Sequence, residues 1–324
     1  MYAATPLKIF ISKLNARAIA LTLIALILSA CAEKDPSQNA STLPPASVPA
    51  AISLKQDSAA NNLSSSKASI AIISDIDDTL KITHVNCFPD AFIRGPFTAT
   101  AFLGMSELYN GLLTGNVTPA VYYVSGSPSL LTNAVEWFLG RNDFPVGEIY
   151  LRDFLGRPDI ITHKESTIRE IMGQNKKDQF LMFGDDTESD FTIYHDMRAE
   201  FPERMIAAYI HLVNNDKQLP ADVTGYFTSA DLALRETLAG RLSEAKTKEI
   251  FEKFLTTDID EEEILPEFEF CPQAGWLTSI ANGEKVASSL QRLAPQVEAK
   301  LKAKCDWNKE QMERRQREQN MGRG

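Results

Sequence analysis

Short apolar runs bounded by polar residues punctuate the middle of the chain, and helical patterns fill the intervals between them. The first run, Ser69-Ile-Ala-Ile-Ile-Ser74, is Ile-rich and apolar at successive rather than alternate positions. A strand buried on both faces reads this way, as the central strands of parallel sheets do. Four more runs come after it: Ala120-Val-Tyr-Tyr-Val-Ser125, Glu148-Ile-Tyr-Leu-Arg152, Gln179-Phe-Leu-Met-Phe-Gly184 and Arg204-Met-Ile-Ala-Ala-Tyr-Ile-His-Leu212. Between them, residues 104–113 place Met105, Leu108 and Leu112 at helical spacing, and 128–138 and 165–172 repeat that period. Strands alternating with helices predict an α/β fold, a doubly wound parallel sheet with its site at the carboxyl ends of the strands.

Past the fifth run the pattern turns helical. Residues 229–255 set Leu234, Leu238, Leu242 and Ala245 on one stripe, extended by Ile250, Phe251, Phe254 and Leu255, which predicts packing on the sheet. Glu244, Glu249 and Glu252 argue against the rival reading, a helix lying on a membrane. The acidic stretch 258–263 reads as a solvated loop, 286–301 as a helix broken by Pro295, and 306–324 as a polar tail.

The amino terminus has a different character. Lys8, Lys13 and Arg17 precede an apolar run from Ala18 to Leu28 that ends in Leu28-Ser29-Ala30-Cys31. The run is short for a membrane span and has the layout of a signal peptide. Its end resembles the lipobox of bacterial lipoprotein precursors, which implies cleavage after residue 30 and acylation of Cys31. With Ala32 next, the resemblance implies a lipid anchor in the bacterial cell envelope, on the periplasmic side of the outer membrane in a Gram-negative cell. Several acyl chains on one residue suffice for stable anchoring. Residues 31–67, rich in Ser, Ala, Pro and Asn, cannot bury enough apolar surface to fold and read as a tether. The folded domain is therefore expected over 68–305, long enough for a sizeable core.

The formal net charge of -10 gives no basic face for nucleic acid and none for general adhesion to an anionic membrane. Of the four cysteines, Cys87, Cys271 and Cys305 remain once Cys31 is acylated, which allows at most one internal disulfide. Cys271–Cys305 is the favoured pair, though spacing does not fix it.

The candidate chemistry gathers at the predicted strand ends. The first strand runs into Asp75-Ile-Asp77-Asp-Thr79, so near-extended backbone would project Asp75 and Asp77 to the same side. Side-by-side carboxylates repel unless a cation or a proton-transfer role uses the charge. The bland alternative is a turn in which Asp and Thr cap the next helix. The second strand ends at Ser125, Lys164 opens a helix, and the fourth strand runs into Gly184-Asp185-Asp186-Thr187-Glu188-Ser189-Asp190. Hard oxygen ligands, a hydroxyl and a lysine on one edge describe phosphoryl chemistry. Ser125 could equally be a loop hydroxyl and Lys164 a solvated helix lysine. Thr79 reads as a turn cap. His84, His163, His195 and His211 stand in no ligand spacing, so surface or packing roles are expected, with His163 singled out as the neighbour of Lys164. Arg157 reads equally as a contact to a second anionic group or as part of a Gly-Arg-Pro turn.

This order, Asp-x-Asp-x-Thr, strand-end Ser, Lys, then Gly-Asp-x-x-x-x-Asp, resembles the haloacid dehalogenase superfamily of phosphohydrolases over about residues 68–215. Ser74-Asp-Ile-Asp-Asp-Thr-Leu-Lys-Ile82, Gly104-Met-Ser-Glu-Leu-Tyr109, Tyr123-Val-Ser-Gly-Ser-Pro128, Gly156-Arg-Pro-Asp159 with His163-Lys164, and Phe227-Thr-Ser-Ala-Asp-Leu-Ala-Leu234 narrow the likeness. Together they resemble the catalytic domain of actin-patch-type phosphatidate phosphatases, distantly lipin-like. Gly126-Ser127 before Pro128-Ser129 departs from the bulkier pair usual there.

The resemblance implies a role for each residue. Asp75 would be the nucleophile that forms an aspartyl-phosphate, and Asp77 the general acid and base. Ser125 and Lys164 would orient and neutralise the phosphoryl oxygens. Mg²⁺ would be held by Asp75, the main-chain carbonyl of Asp77 and Asp185, with Asp190 bracing the metal site. The part of Asp186 stays open. A small, irregular connection around Phe88-Pro89-Asp90 and Arg94-Gly95-Pro96 predicts a minimal cap, which would admit a bulky substrate. The expected function is a membrane-anchored phosphatidate phosphatase releasing diacylglycerol and phosphate. The alternatives are a broad-specificity phosphomonoesterase of the envelope and a non-catalytic phosphatidate-binding module. Retention of Asp75, Asp77, Lys164 and Asp185 disfavours the last.

Overall fold

A computed structural model of the chain describes residues 69–83, 99–114, 120–153, 159–176, 178–267, 269–283 and 285–321. The leader with Cys31, the tether, the connection expected to form the minimal cap, His84, Cys87 and Arg157 lie outside the described residues.

Six strands form one sheet: β1 (Ile70–Ser74), β2 (Ala120–Pro128), β3 (Glu148–Arg152), β4 (Gln179–Asp185), β5 (Met205–His211) and β6 (Thr224–Tyr226). Their order is β3-β2-β1-β4-β5-β6, and every neighbouring pair is parallel. Helices α1 (Met105–Leu113), α2 (Thr132–Arg141), α3 (Ile160–Gln174) and α4 (Asp190–Glu200) alternate with the strands. Four more lie beyond the sheet strands in the chain: α5 (Ser229–Leu238), α6 (Glu244–Thr256), α7 (Trp276–Ala281) and α8 (Ser288–Met321).

The successive apolar positions of β1 are explained by two cores, one on each face of the sheet. Ile72, Tyr123, Leu181, Phe183 and Tyr209 point into the larger core, with Leu108 of α1, Phe138 of α2 and Leu290, Val297 and Leu301 of α8. Ala71, Ile73, Tyr122, Met182 and Ile210 point the other way, against Ile168 and Met172 of α3 and Ile193 and Met197 of α4. A sheet covered on both faces is the doubly wound arrangement expected, and it leaves the carboxyl edge for chemistry. The chain goes outward from β1 through β2 and β3, then restarts at β4 on the other side of β1. That switch point lies between β1 and β4, where Asp75 and Asp185 emerge.

Several boundaries differ from the sequence reading. Strand β2 runs on to Pro128, and helix α2 starts at Thr132 after a short 3-10 turn. Helix α3 begins five residues before its strongest periodicity because Asp159 caps it, its carboxylate accepting from Thr162 N–H at 3.0 Å. The stripe over 229–255 is two helices, not one. Gly240, at φ 72°, ends the first and turns the stripe, so Leu238 is exposed while Leu242 is buried. The acidic stretch is not wholly a solvated loop, since Ile264 and Leu265 after it are buried and Leu103 N–H donates to the Glu263 carbonyl.

Helix α8 passes through Pro295 unbroken and continues past Cys305 to Met321, where a tail was expected. Its polar residues are used: Asn308 Nδ2 donates to the Leu265 carbonyl, and Lys302 pairs with Asp306 one turn on. Cys271 and Cys305 form a disulfide, resolving the pairing left open by spacing. Among the described residues, no helix is long and apolar enough to cross a membrane.

Candidate active site

Parallel register sets the site. Ser74 of β1 pairs with Phe183 of β4, and Asp75 N–H donates to the Phe183 carbonyl at 2.8 Å. Asp75 and Asp185 therefore leave adjacent strands side by side. Their carboxylate oxygens and one of Asp190 all lie within 4.8 Å of one another, and all three residues are buried. Gly184 makes this possible, because a Cβ there would come 2.5 Å from Asp190 Oδ2. Asp190 opens α4 and reaches back beneath the strand end.

Lys164 enters from α3 and is 1 % exposed, so it is no solvated helix lysine. Its ammonium lies 2.6 Å from Asp190 Oδ1, 3.0 Å from Asp75 Oδ1 and 3.2 Å from Glu188 Oε2. Burial alone would push that ammonium down, but the carboxylates of Asp190, Asp75 and Glu188 around it push its pKa up, and it stays charged. One lysine does not balance the acids it faces. Burial, and then mutual repulsion, push the carboxyls of Asp75 and Asp185 well above the usual carboxylate range. Asp190 is raised too, chiefly by burial.

These residues fit a divalent cation. The cluster offers hard oxygen donors only, as Mg²⁺ or Ca²⁺ prefers, and charge enough to need one. Asp190 Oδ2 is buried and has no hydrogen-bond partner among the described residues. Asp185 is held in place by Thr187, whose N–H donates to Oδ1 at 2.7 Å and whose hydroxyl also donates there. The Thr79 hydroxyl reaches Asp185 Oδ2 at 3.3 Å. Thr79, read from sequence as a turn cap, lies in the turn after β1 and also braces a candidate ligand.

Asp77 stands apart from this cluster, half-buried. Its Oδ2 accepts from Ser127 Oγ at 2.7 Å and more weakly from Ser125 Oγ at 3.4 Å. Ser125 and Ser127 are two apart on β2, so both face Asp77. Burial raises the Asp77 pKa, while Lys81 and the Ser127 hydroxyl pull it back. Ser125 thus lies on a strand and faces Asp77 instead of standing in a loop. Ser127 and Glu188 are additions that the sequence reading left without roles. A strand prediction carried to Pro128 would have found Ser127 by the same alternation that pairs Asp75 with Asp77.

Asp186, whose part was open, turns away from the cluster. Its carboxylate accepts from the N–H groups of Asn214 (3.0 Å) and Asn215 (2.7 Å) and braces the loop after β5. His195 pairs with Asp222 at the surface. His163 is buried beside the site, and burial lowers its imidazole pKa. His211 is buried with polar partners on both ring nitrogens.

Comparison with known proteins agrees with this geometry. Residues 70–212 match the family described as "Phosphatidate phosphatase APP1, catalytic domain". An uncharacterized protein of Schizosaccharomyces pombe is 32% identical over 158 residues, covering 45% of this chain and 26% of that protein. Phosphatidate phosphatase APP1 of Saccharomyces cerevisiae is 29% identical over 155 residues, again 45% of this chain and 26% of the relative. The chain thus spans about a quarter of the length of the curated relatives it matches. Among solved structures, the class C acid phosphatase of Bacillus anthracis aligns at 18% identity over 60% of this chain and 82% of that one. Its TM-score of 0.29 is too low to carry an argument. The matched segment contains Asp75, Asp77, Ser125, Lys164, Asp185 and Asp190, and over it the chain is similar to the catalytic domain of phosphatidate phosphatases.

Proposed function

We propose that the domain is a Mg²⁺-dependent phosphatidate phosphatase that releases diacylglycerol and phosphate. The observation that carries this reading is the buried Asp75–Asp185–Asp190 cluster with Lys164 Nζ 3.0 Å from Asp75 Oδ1. Asp75, Asp185 and Asp190 would hold the cation, with the main-chain carbonyl of Asp77 as a further donor. When bound, the cation offsets the negative charge shared by nucleophile and phosphate.

The residues supply the rest. Lys164 orients the Asp75 carboxyl and pulls it toward its ionised form, as the cation would when bound, so an Asp75 oxygen attacks phosphorus in line while the bond to the glyceride oxygen breaks. Asp77, whose carboxyl burial pushes up, would give a proton to the departing oxygen. Asp77 then takes a proton from the water that attacks the aspartyl-phosphate, and phosphate leaves as Asp75 is restored. Lys164 and the hydroxyls of Ser125 and Ser127 line the space in which phosphoryl oxygens carry charge.

The test is phosphate release by the purified protein with Mg²⁺, from phosphatidate in mixed micelles and from a small phosphomonoester. Turnover of phosphatidate at a kcat/KM well above that of the small ester is expected, and it should vanish with a chelator or with Asp75→Asn. Equal or better turnover of the small ester would replace this reading with the broad-specificity phosphomonoesterase of the envelope. Saturable phosphatidate binding without turnover would replace it with the binding module.

The leader supports a location beside such a substrate. Leu28-Ser29-Ala30-Cys31 would give a lipid-anchored protein in the bacterial envelope, tethered by residues 31–67. Incorporation of labelled palmitate that survives Cys31→Ser would exclude that anchor.

A further inference from the structure

Behind the active site lies a buried polar pair that the chemistry above does not use. The ring of His211, at the end of β5, is stacked on Tyr226 with centroids 5.0 Å apart, and Phe102 meets it edge-on at 4.6 Å. Its Nδ1 is 2.7 Å from the carbonyl oxygen of Asp78. Its Nε2 is 3.1 Å from the Phe227 carbonyl and 3.2 Å from Glu269 Oε1. Both side chains of the pair are 2% exposed. A carbonyl can only accept, and the shorter of the two carbonyl contacts, at 2.7 Å, favours the hydrogen of a neutral ring on Nδ1. Glu269 Oε1 packs behind the ring at 3.2 Å without a hydrogen bond of its own, and the Asp78 and Phe227 carbonyls hold the ring's orientation.

The carbonyl that His211 holds belongs to an unusual residue. Asp78 has φ 54°, a left-handed conformation that persists only where surroundings enforce it. It directly follows Asp77, the proposed acid and base. The turn closes on itself, with Asp78 N–H donating to the Lys81 carbonyl and Asp78 Oδ1 accepting from Thr83 N–H at 2.9 Å. His211 fastens this closed turn to the sheet. The carboxylate behind it comes from far along the chain, beyond the family-matched segment 70–212. Phe270 N–H donates to the Val213 carbonyl, and the disulfide at Cys271 anchors the segment to α8 two residues after Glu269.

We propose that Glu269 and His211 form a positioning relay in which the carboxy-terminal extension, through the His211 imidazole, holds the Asp78 carbonyl and so aims Asp77 at the leaving oxygen. The inference rests on the phosphatase reading of Asp75 and Asp77. Neither residue touches substrate. Replacing both by apolar groups leaves no buried titratable group behind, but it takes the ring from the Asp78 and Phe227 carbonyls.

The deciding experiment compares wild type, Glu269→Gln and the double variant His211→Phe/Glu269→Leu. It reads Mg²⁺-dependent hydrolysis of para-nitrophenyl phosphate, thermal unfolding, and amide hydrogen exchange in the peptide covering 75–83. In the double variant kcat should fall about 10- to 100-fold with KM little changed, a misplacement-sized effect, while the melting temperature falls only modestly as two carbonyls lose their partner. Exchange in 75–83 should quicken by a similar factor. Glu269→Gln keeps a polar partner for Nε2 and should retain most of the activity. A folded double variant with wild-type kcat and wild-type exchange overturns the relay, and so does loss of kcat in Glu269→Gln equal to that in the double variant. Inactive wild type would instead count against the phosphatase reading. The exchange comparison would then decide the relay alone: quickened exchange in the double variant supports it, and unchanged exchange overturns it.

Discussion

Asp77 differs from the other site carboxylates because hydroxyls hold it and no ammonium touches it within hydrogen-bond range among the described residues. Burial pushes its carboxyl up, and the Ser127 hydroxyl, by hydrogen-bonding the charged form, pulls it back down. Ser127→Ala removes the hydroxyl's share of the downward pull and leaves that of Lys81, so the Asp77 pKa should rise. A protonated Asp77 is what leaving-group departure requires, so the alkaline limb of the kcat profile should move to higher pH in Ser127→Ala. A limb that stays put would show that another group sets it. Asp75, Asp77, Lys164, Asp185 and Asp190 could be found from sequence because each sits at a fixed offset from a strand end or helix start. Thr79 was harder, since its importance lies in a partner 106 residues away in the chain. No local spacing encodes that. Asp186 shows the opposite hazard: it stands next to a candidate ligand yet points to the Asn214 and Asn215 amides.

At the level of elements, the strands with long apolar runs were legible because burial on both faces removes polar residues from them. Strand β6 was not, for three residues of Thr-Gly-Tyr give no periodicity and only pairing with Tyr209–His211 makes them a strand. The start of α5 was legible at Ser229, whereas the Asp159-capped start of α3 was placed five residues late and Gly240 split one stripe into two. The start of α5 holds an element-scale test. Thr228 and Asp231 form a capping box there, and Asp231 is 1 % exposed. Burial, partly offset by Arg235 and the Thr228 and Phe227 amides, raises its carboxyl to about 6 from 3.8. Because the folded value lies above the unfolded one, this residue's stabilising contribution is complete below about pH 4 and is lost as pH rises past 6. The loss amounts to about 3 kcal/mol. Asp231→Asn keeps an acceptor for the cap and cannot ionise. Its stability relative to wild type, measured by denaturant unfolding, should therefore improve between pH 4 and pH 7. A difference constant over that range would mean that Asp231 ionises normally in the fold.

Across the whole molecule, the carboxy-terminal third is part of the same core as the sheet. Leu277, Ala281, Leu290, Val297 and Leu301 are buried with Ile72, Phe183 and Tyr226. Helix α8 lies farthest from the site in sequence, yet through Cys305 it fixes Cys271, two residues beyond the buried Glu269. The disulfide joins residues 34 apart. In the chain-entropy view, a closed loop of that length restricts the unfolded ensemble by about 4 kcal/mol. Its loss should act on two quantities of different kind. Global stability falls, because the unfolded chain regains freedom. Exchange at Glu269 and Phe270 rises, because the segment is then held by the Phe270–Val213 hydrogen bond and its packing. Cys271→Ser with Cys305→Ser should therefore lower the unfolding free energy by about 2–4 kcal/mol while leaving sheet amides such as those of Ile72 and Leu181 protected in the native state. If the double serine variant unfolds at the wild-type denaturant midpoint, the bridge adds nothing that packing of α8 on the core has not already fixed. The extension would then owe its place to Leu290, Val297 and Leu301 rather than to the cross-link.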